Sequence, residues 1–214
     1  MKLQLAVDTS TIKEGLEILE QTAEYLDIIE VGTPLMLAEG CHAVREFKKH
    51  YPDKIILSDC KIRDGAATIA GNALEAGADI VTALADSHDY TITEFVRICH
   101  QYGKQAEVDL MNMYDQVEKR APELLDLGVD IVNLHGHSDS HRPGEHHYNA
   151  IKKLMSVVPR EQTAIIDYMD FDCADQILCY RPGIIVTYKP IFFAENKREA
   201  AKRLRALVDK YNKE

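Results

Sequence analysis

Eight short runs of aliphatic and β-branched residues recur along the chain, each followed by a longer stretch whose apolar positions return every three or four residues. The runs LQLAVD, IIEVG, IILSDCK, IVTAL, AEVDL, IVNLH, TAIID and IIVTYK close on or beside Asp8, Glu30, Lys61, Leu84, Asp109, His135, Asp167 and Lys189. Between them, sets such as Ile12-Leu16-Leu19-Ala23 and Ala43-Phe47 carry helical spacing. Successive run ends lie roughly 20 to 35 residues apart, about the length of one strand, one helix and two loops. Ala76-Gly77-Ala78-Asp79 and Leu127-Gly128-Val129-Asp130 each place a glycine where a helix should stop before a buried strand.

Near-continuous apolar strands alternating with amphipathic helices predict a parallel sheet covered on its outside by helices. Eight units close most naturally into a single (β/α)8 TIM barrel spanning residues 1–214, an α/β fold. An open doubly wound sheet is the alternative, and the absence of GxGxxG in the first loop disfavours it. The last helix is expected from Glu195 to about Tyr211.

Composition changes this picture little. The 214 residues suit one domain, and a net charge of −10 disfavours nucleic acid and anionic membrane as partners. No signal peptide or bilayer-spanning segment is expected from the apolar runs. Five cysteines without CxxC spacing read as free thiols, and the expected location is cytoplasmic.

In a barrel of this kind the strand C-termini and the loops after them build the active site. Those positions carry Asp8, Glu30, Asp59, Lys61, Asp64, Asp109 and His135. So many acids at one mouth would repel each other unless a cation or a lysine sat among them. Strand alternation puts Asp59 and Lys61 on one side and turns Cys60 toward the helices. A lysine held between carboxylates stays protonated and stabilises a developing anion.

These residues resemble the orotidine 5′-phosphate decarboxylase suprafamily, and within it the 3-hexulose-6-phosphate synthases and 3-keto-L-gulonate-6-phosphate decarboxylases. The resemblance rests on Val7-Asp8, on Asp27-Ile28-Ile29-Glu30-Val31-Gly32-Thr33-Pro34, and on Asp59, Lys61 and Asp64. It continues through Ala76-Gly77-Ala78-Asp79, Val81-Thr82, Val108-Asp109-Leu110 and His135. It implies a Mg2+-dependent enzyme that works through a 1,2-enediolate, with Glu30 and Asp59 as the metal carboxylates. Asp8 and Asp109 would orient substrate hydroxyls and Lys61, and His135 would move the proton at the reacting carbon. Asp64 would complete a neighbouring subunit's site, which implies a homodimer. Ser138, where the decarboxylases carry arginine, and Asp109, where they tend to carry glutamate, favour the aldol reaction of D-ribulose 5-phosphate with formaldehyde. Decarboxylation is the alternative, and a non-catalytic binding barrel is a third reading.

The same resemblance leads one to expect phosphate-cradling glycines after strands seven and eight. Asp167, Tyr168 and Tyr188 stand there instead, and only Lys189 keeps a basic group. Asp167, Tyr188 and Lys189 are therefore expected to line an altered substrate pocket that binds a phosphate ester weakly. The alternative is that rearranged loops and Lys189 still hold phosphate. A sugar or sugar phosphate is the expected small-molecule partner. His135, His137, His141, His146 and His147 crowd the sixth loop with Asp139 and Glu145, without a zinc-binding spacing. Pro143-Gly144 marks a turn in a candidate lid.

Overall fold

A computed structural model describes residues 1–136, 147–166 and 170–213. Eight parallel strands close into a barrel in chain order. They are β1 (Lys2–Val7), β2 (Ile28–Val31), β3 (Ile55–Ile62), β4 (Ile80–Leu84), β5 (Gln105–Asp109), β6 (Ile131–His135), β7 (Thr163–Ile166) and β8 (Ile184–Thr187). The barrel closes through β1 against β8, with Leu3 opposite Ile185 and Leu5 opposite Thr187.

The helices are α1 (Ile12–Thr22), α2 (Thr33–Glu39), α3 (Cys41–His50), α4 (Ala66–Glu75), α5 (Asp89–Gln101), α6 (Val117–Asp126), α7 (Tyr148–Val157), α8 (Ala174–Leu178), α9 (Lys189–Phe192) and α10 (Lys197–Lys213). Local signals set several of their ends. The Thr11 hydroxyl accepts from the Glu14 N–H and caps α1. Gly77 and Gly128 take φ of 107° and 90° after α4 and α6, where a side chain would be strained. Each lets the chain turn sharply into the next strand. Gly40 divides the second crossover into α2 and α3 with φ 61° and ψ −155°, a break that periodicity alone does not reveal. The last helix starts at Lys197 and runs to Lys213, displaced by two residues from the expected span.

Two apolar clusters follow from strand alternation. Leu3, Leu5, Val7, Ile29 and Val31 point outward and pack with Phe47, Leu204 and the other helix residues. Ala6, Ile28, Leu57, Ile80, Ile131, Ala164, Ile184 and Val186 point inward and fill the barrel. Cys60 packs against the outer cluster, as alternation requires. Among the described residues no disulfide joins any of the five cysteines, and no helix is long and apolar enough to cross a membrane.

One irregularity positions the site. Ser58 pairs with Val81, and the next register pair on β3 joins Ile62 to Ala83. Asp59, Cys60 and Lys61 thus lie opposite Thr82 alone, in a bulge where Lys61 adopts φ 45°. The Lys61 N–H bonds to the Thr82 hydroxyl at 3.0 Å in place of a ladder carbonyl.

Candidate active site

The barrel's C-terminal mouth opens into a pocket of about 280 Å³. Asp8, Glu30, Asp59, Lys61 and His135 line one part of it, and Ala6, Pro34, Met111, Ile166, Val186 and Tyr188 line another. Adjacent strand ends on parallel β1, β2 and β3 bring the first three acids together.

Asp59 is the most heavily bonded of these acids. Its Oδ2 accepts from the Lys61 ammonium and from the Thr33 hydroxyl at 2.6 Å, and its Oδ1 accepts from the Thr82 hydroxyl at 2.8 Å. Burial works to raise the Asp59 carboxyl, but Lys61 and these hydrogen bonds outweigh it and hold the group ionised below its ordinary range. Burial likewise works to lower the Lys61 ammonium, and the Asp59 charge outweighs it, so Lys61 stays protonated. Thr33 also accepts from Lys61 Nζ at 3.0 Å, which fixes the ammonium between the two side chains.

Glu30 sits beside this pair with weaker support. Gln4 donates to its Oε2 at 2.7 Å. Burial, and then the negative charges of Asp59 and Asp8, push the Glu30 carboxyl well above its ordinary value. Asp8 is raised in the same way, first by burial and then by Asp59. Three acids therefore share one lysine, and the cluster has room for more positive charge. A glutamate and an aspartate give a hard oxygen donor set, and Mg2+ is commonly held by one or two carboxylates with water completing its shell. Glu30 and Asp59 fit that ion. Among the described residues no larger group of His, Cys, Asp and Glu is arranged for a metal.

On the opposite wall, His135 Nδ1 lies 2.7 Å from Asp109 Oδ2, and the Met111 N–H bonds the other carboxylate oxygen at 2.9 Å. A carboxylate at that position makes Nδ1 the protonated nitrogen and leaves Nε2 as the basic one. The Tyr114 hydroxyl donates to the His135 carbonyl at 2.7 Å and anchors the strand end.

Directly beneath lies a second pair on the same two strands that the strand-end reading missed. Asn133 donates to Glu107 Oε1 at 3.0 Å, while Glu107 Oε2 and Asn133 Oδ1 have no hydrogen-bond partner. Glu107 is 1% exposed. Burial first, and then Asp109 and Asp59, push its carboxyl up to about 8, so it is mostly protonated at neutral pH. A cavity of about 10 Å³ adjoins Glu107, Asn133, Thr82 and Asp109, room for about one water. Gln4, Thr33, Thr82, Glu107 and Asn133 are all uncharged at neutral pH or lie below the strand ends. Thr33 and Thr82 stand within the motifs that carry the resemblance; Gln4, Glu107 and Asn133 are marked only by their inward register, which for the last two is two residues before Asp109 and His135.

Asp64 is exposed beyond the β3 end and does not line the pocket. Tyr188 and Lys189 do line it. Asp167 and Tyr168 lie outside the described residues, as do Ser138, Asp139, His137, His141, Pro143, Gly144, Glu145 and His146. His147 stacks on Tyr114 with ring centroids 4.1 Å apart.

The chain is similar along its whole length to proteins with this architecture. A 3-hexulose-6-phosphate synthase of Bacillus subtilis is 33% identical over 97% of this chain and 99% of its own. The solved structure of 3-hexulose-6-phosphate synthase from Salmonella typhimurium superposes with a TM-score of 0.94 at 28% identity, covering 99% of this chain and 100% of that one. That of KGPDC from Streptococcus mutans, in complex with a sugar phosphate, gives a TM-score of 0.87 at 25% identity, covering 99% and 97%. The model of the orotidine 5′-phosphate decarboxylase / HUMPS family matches residues 1–204, and the chain belongs to that family.

Proposed function

We propose that this chain is a carbon–carbon lyase of the 3-hexulose-6-phosphate synthase type, acting on a ketose or ketose phosphate through an enediolate. The observation that carries the reading is the pairing of a basic imidazole, His135 oriented by Asp109, with a protonated lysine, Lys61 held by Asp59, around one pocket. Forming an enediolate requires a base at the carbon that loses its proton and positive charge at the oxygen that gains an electron pair. His135 Nε2 takes and returns the proton, and Asp109 stabilises the imidazolium so formed. The Lys61 ammonium faces the developing oxyanion. Asp8 accepts from a substrate hydroxyl and sets its position. Mg2+ held by Glu30 and Asp59 would supply further positive charge to the enediolate oxygens.

The aldol direction, joining a ketose to an aldehyde such as formaldehyde, is supported by the sequence preference and by the likeness to the synthase relatives. A decarboxylase would use the same enediolate, and the KGPDC likeness keeps it as the second reading. The test is exchange of the hydroxymethyl-ketone hydrogens of D-ribulose or its 5-phosphate in deuterium oxide, with and without Mg2+. Metal-dependent exchange that disappears in His135→Asn supports the reading; the absence of exchange with either compound counts against it.

We further propose a homodimer. Asp64 is exposed, and Leu37 on α2 and Tyr90 on α5 are 84% and 76% exposed. Free thiols and the absence of a membrane-crossing helix among the described residues are consistent with a cytoplasmic site of action.

A further inference from the structure

Beneath the Asp109–His135 pair the barrel repeats the same arrangement one layer down. Asp109 is the register partner of Asn133, so each acid of β5 reaches diagonally across to β6, Asp109 to His135 and Glu107 to Asn133. Side chains two apart on a strand point the same way, which sets the lower pair directly under the upper one. The rest of the interior around it is apolar, with Leu57, Ile80, Ile131 and Ala164 in the inner cluster.

The lower pair is bonded on one side only. Asn133 donates to Glu107 Oε1 at 3.0 Å, and among the described residues Glu107 Oε2 and Asn133 Oδ1 have no partner. Two such atoms left dry in an apolar interior are destabilising, and a pair of packed apolar side chains would be less so. Glu107 and Asn133 both border the cavity of about 10 Å³, which Asp109 and His135 also line.

A buried water commonly makes about three hydrogen bonds, and this cavity has room for about one water. Burial, and then Asp109 and Asp59, push the Glu107 carboxyl up to about 8, so at neutral pH it carries a hydrogen. Oε1 accepts from Asn133, which puts that hydrogen on Oε2. Asn133 Oδ1 is an acceptor for one hydrogen of the water. Asp109 is an acceptor for the other, because each of its oxygens keeps a lone pair beyond the bonds from Met111 and His135. Thr82 does not replace Glu107 as the donor, since its hydroxyl hydrogen goes to Asp59.

We infer that one water is held between Glu107, Asn133 and Asp109, and that through it Glu107 acts as a positioning residue for the carboxylate that orients His135. The inference rests on the enediolate reading only for what His135 does. Glu107 passes no proton to the substrate. It fixes Asp109 from below, as the Met111 N–H fixes it from the loop, and the imidazole follows.

Two variants separate positioning from packing. Glu107→Gln keeps an acceptor for Asn133 and supplies an N–H for the water. The double variant Glu107→Met/Asn133→Leu replaces the pair by apolar side chains of similar size, leaves no orphan polar atom, and is expected to melt no lower than the wild type. The first readout is the His135 Nδ1–H resonance in isotope-labelled protein, identified by its loss in His135→Asn. It is expected to be alike in the wild type and Glu107→Gln and to be shifted or broadened in the double variant; an unchanged resonance there overturns the inference.

The second readout is deuterium exchange into D-ribulose 5-phosphate with Mg2+. Its kcat is expected to fall about tenfold or more in the double variant at little-changed KM, and to return toward the wild-type rate in Glu107→Gln. A folded double variant that exchanges at the wild-type rate overturns the inference and leaves the enediolate reading standing. No exchange by the wild type, with the His135 resonance moving as expected, removes the reaction and leaves the positioning role. A crystal structure of the wild type tests the water itself: one within hydrogen-bond reach of Glu107, Asn133 and Asp109 is expected. A dry cavity there overturns the inference even if the double variant fails to fold.

Discussion

The Asp8 carboxylate occupies the space that a side chain at position 32 would need. A Cβ built on Gly32 would lie 1.9 Å from Asp8 Oδ1, with the Val7 carbonyl at 3.2 Å. The φ of Gly32 is −67°, so any residue tolerates its backbone and the constraint is steric alone. Asp8 ends in a movable side chain, so Gly32→Ala is expected to fold and to displace that carboxylate. A misplacement of about 1 Å at a positioning group costs roughly 10²-fold in rate. Steady-state kinetics beside a thermal melt check this: a loss of turnover at unchanged Tm is the expected pattern.

Glu107 gives a pH dependence of stability. Its ordinary value is 4.5 and its folded value is about 8, so the native state holds a proton that the unfolded chain releases. Stability is therefore expected to fall as pH rises from about 4.5 to about 8 and to level off above that, with an upper bound of about 5 kcal/mol from this group. Glu107→Gln keeps the shape and removes the proton. Urea melts of the metal-free proteins across this window should show a flatter profile for the variant; parallel profiles would mean that Glu107 is ionised in the fold.

Thr82, on β4, holds the β3 bulge at two points, donating to Asp59 and accepting from the Lys61 N–H. Thr82→Val leaves that part-buried N–H without its acceptor, a loss of about 1 kcal/mol. It also removes one of the bonds that keep Asp59 ionised. A lower Tm together with weaker Mg2+ binding by calorimetry is expected, whereas Thr82→Ser should restore most of both.

Much of this was readable from the chain because the barrel repeats its instruction eight times. Each apolar run pairs in chain order with the next, and Gly77 and Gly128 stop helices where expected. Asp8, Glu30, Asp59, Lys61, Asp109 and His135 stood out because charge at a strand end is conspicuous after an apolar run. Glu107 and Asn133 did not, since a polar residue inside a strand looks like a solvent-facing position until the sheet closes around it. The Lys61 bulge was hidden for a different reason. Nothing in the side chain of lysine signals a left-handed backbone, which here arises from the mismatch between β3 and β4.

Asp59 carries the proposed metal role, and its removal also strips Lys61 of its counter-ion. Asp59→Ala is expected to abolish Mg2+-dependent exchange while circular dichroism shows an intact barrel. Full activity in that protein would falsify the assignment.

The dimer proposal has its own measurement. Asp64→Asn and Lys61→Ala proteins, each inactive alone, are expected to regain partial activity when their subunits are mixed and exchanged. Verified exchange without recovery would mean that each barrel is catalytically self-sufficient.

The two apolar clusters on either side of the barrel wall have a consequence for how such a molecule can change. Helices grip the outer faces of the strands through one set of side chains, and the pocket is lined by members of the other, Ala6, Ile166, Val186 and Tyr188. Ile166 and Tyr188, which are only partly buried against the inner cluster, can therefore be exchanged with less call on the scaffold's cohesion than Val186 beneath them, so this wall of the pocket is open to revision one residue at a time. The same partition makes the chain a practical starting point for redesign, in which a library confined to the partly buried Ile166 and Tyr188 would retain most of its members as folded protein.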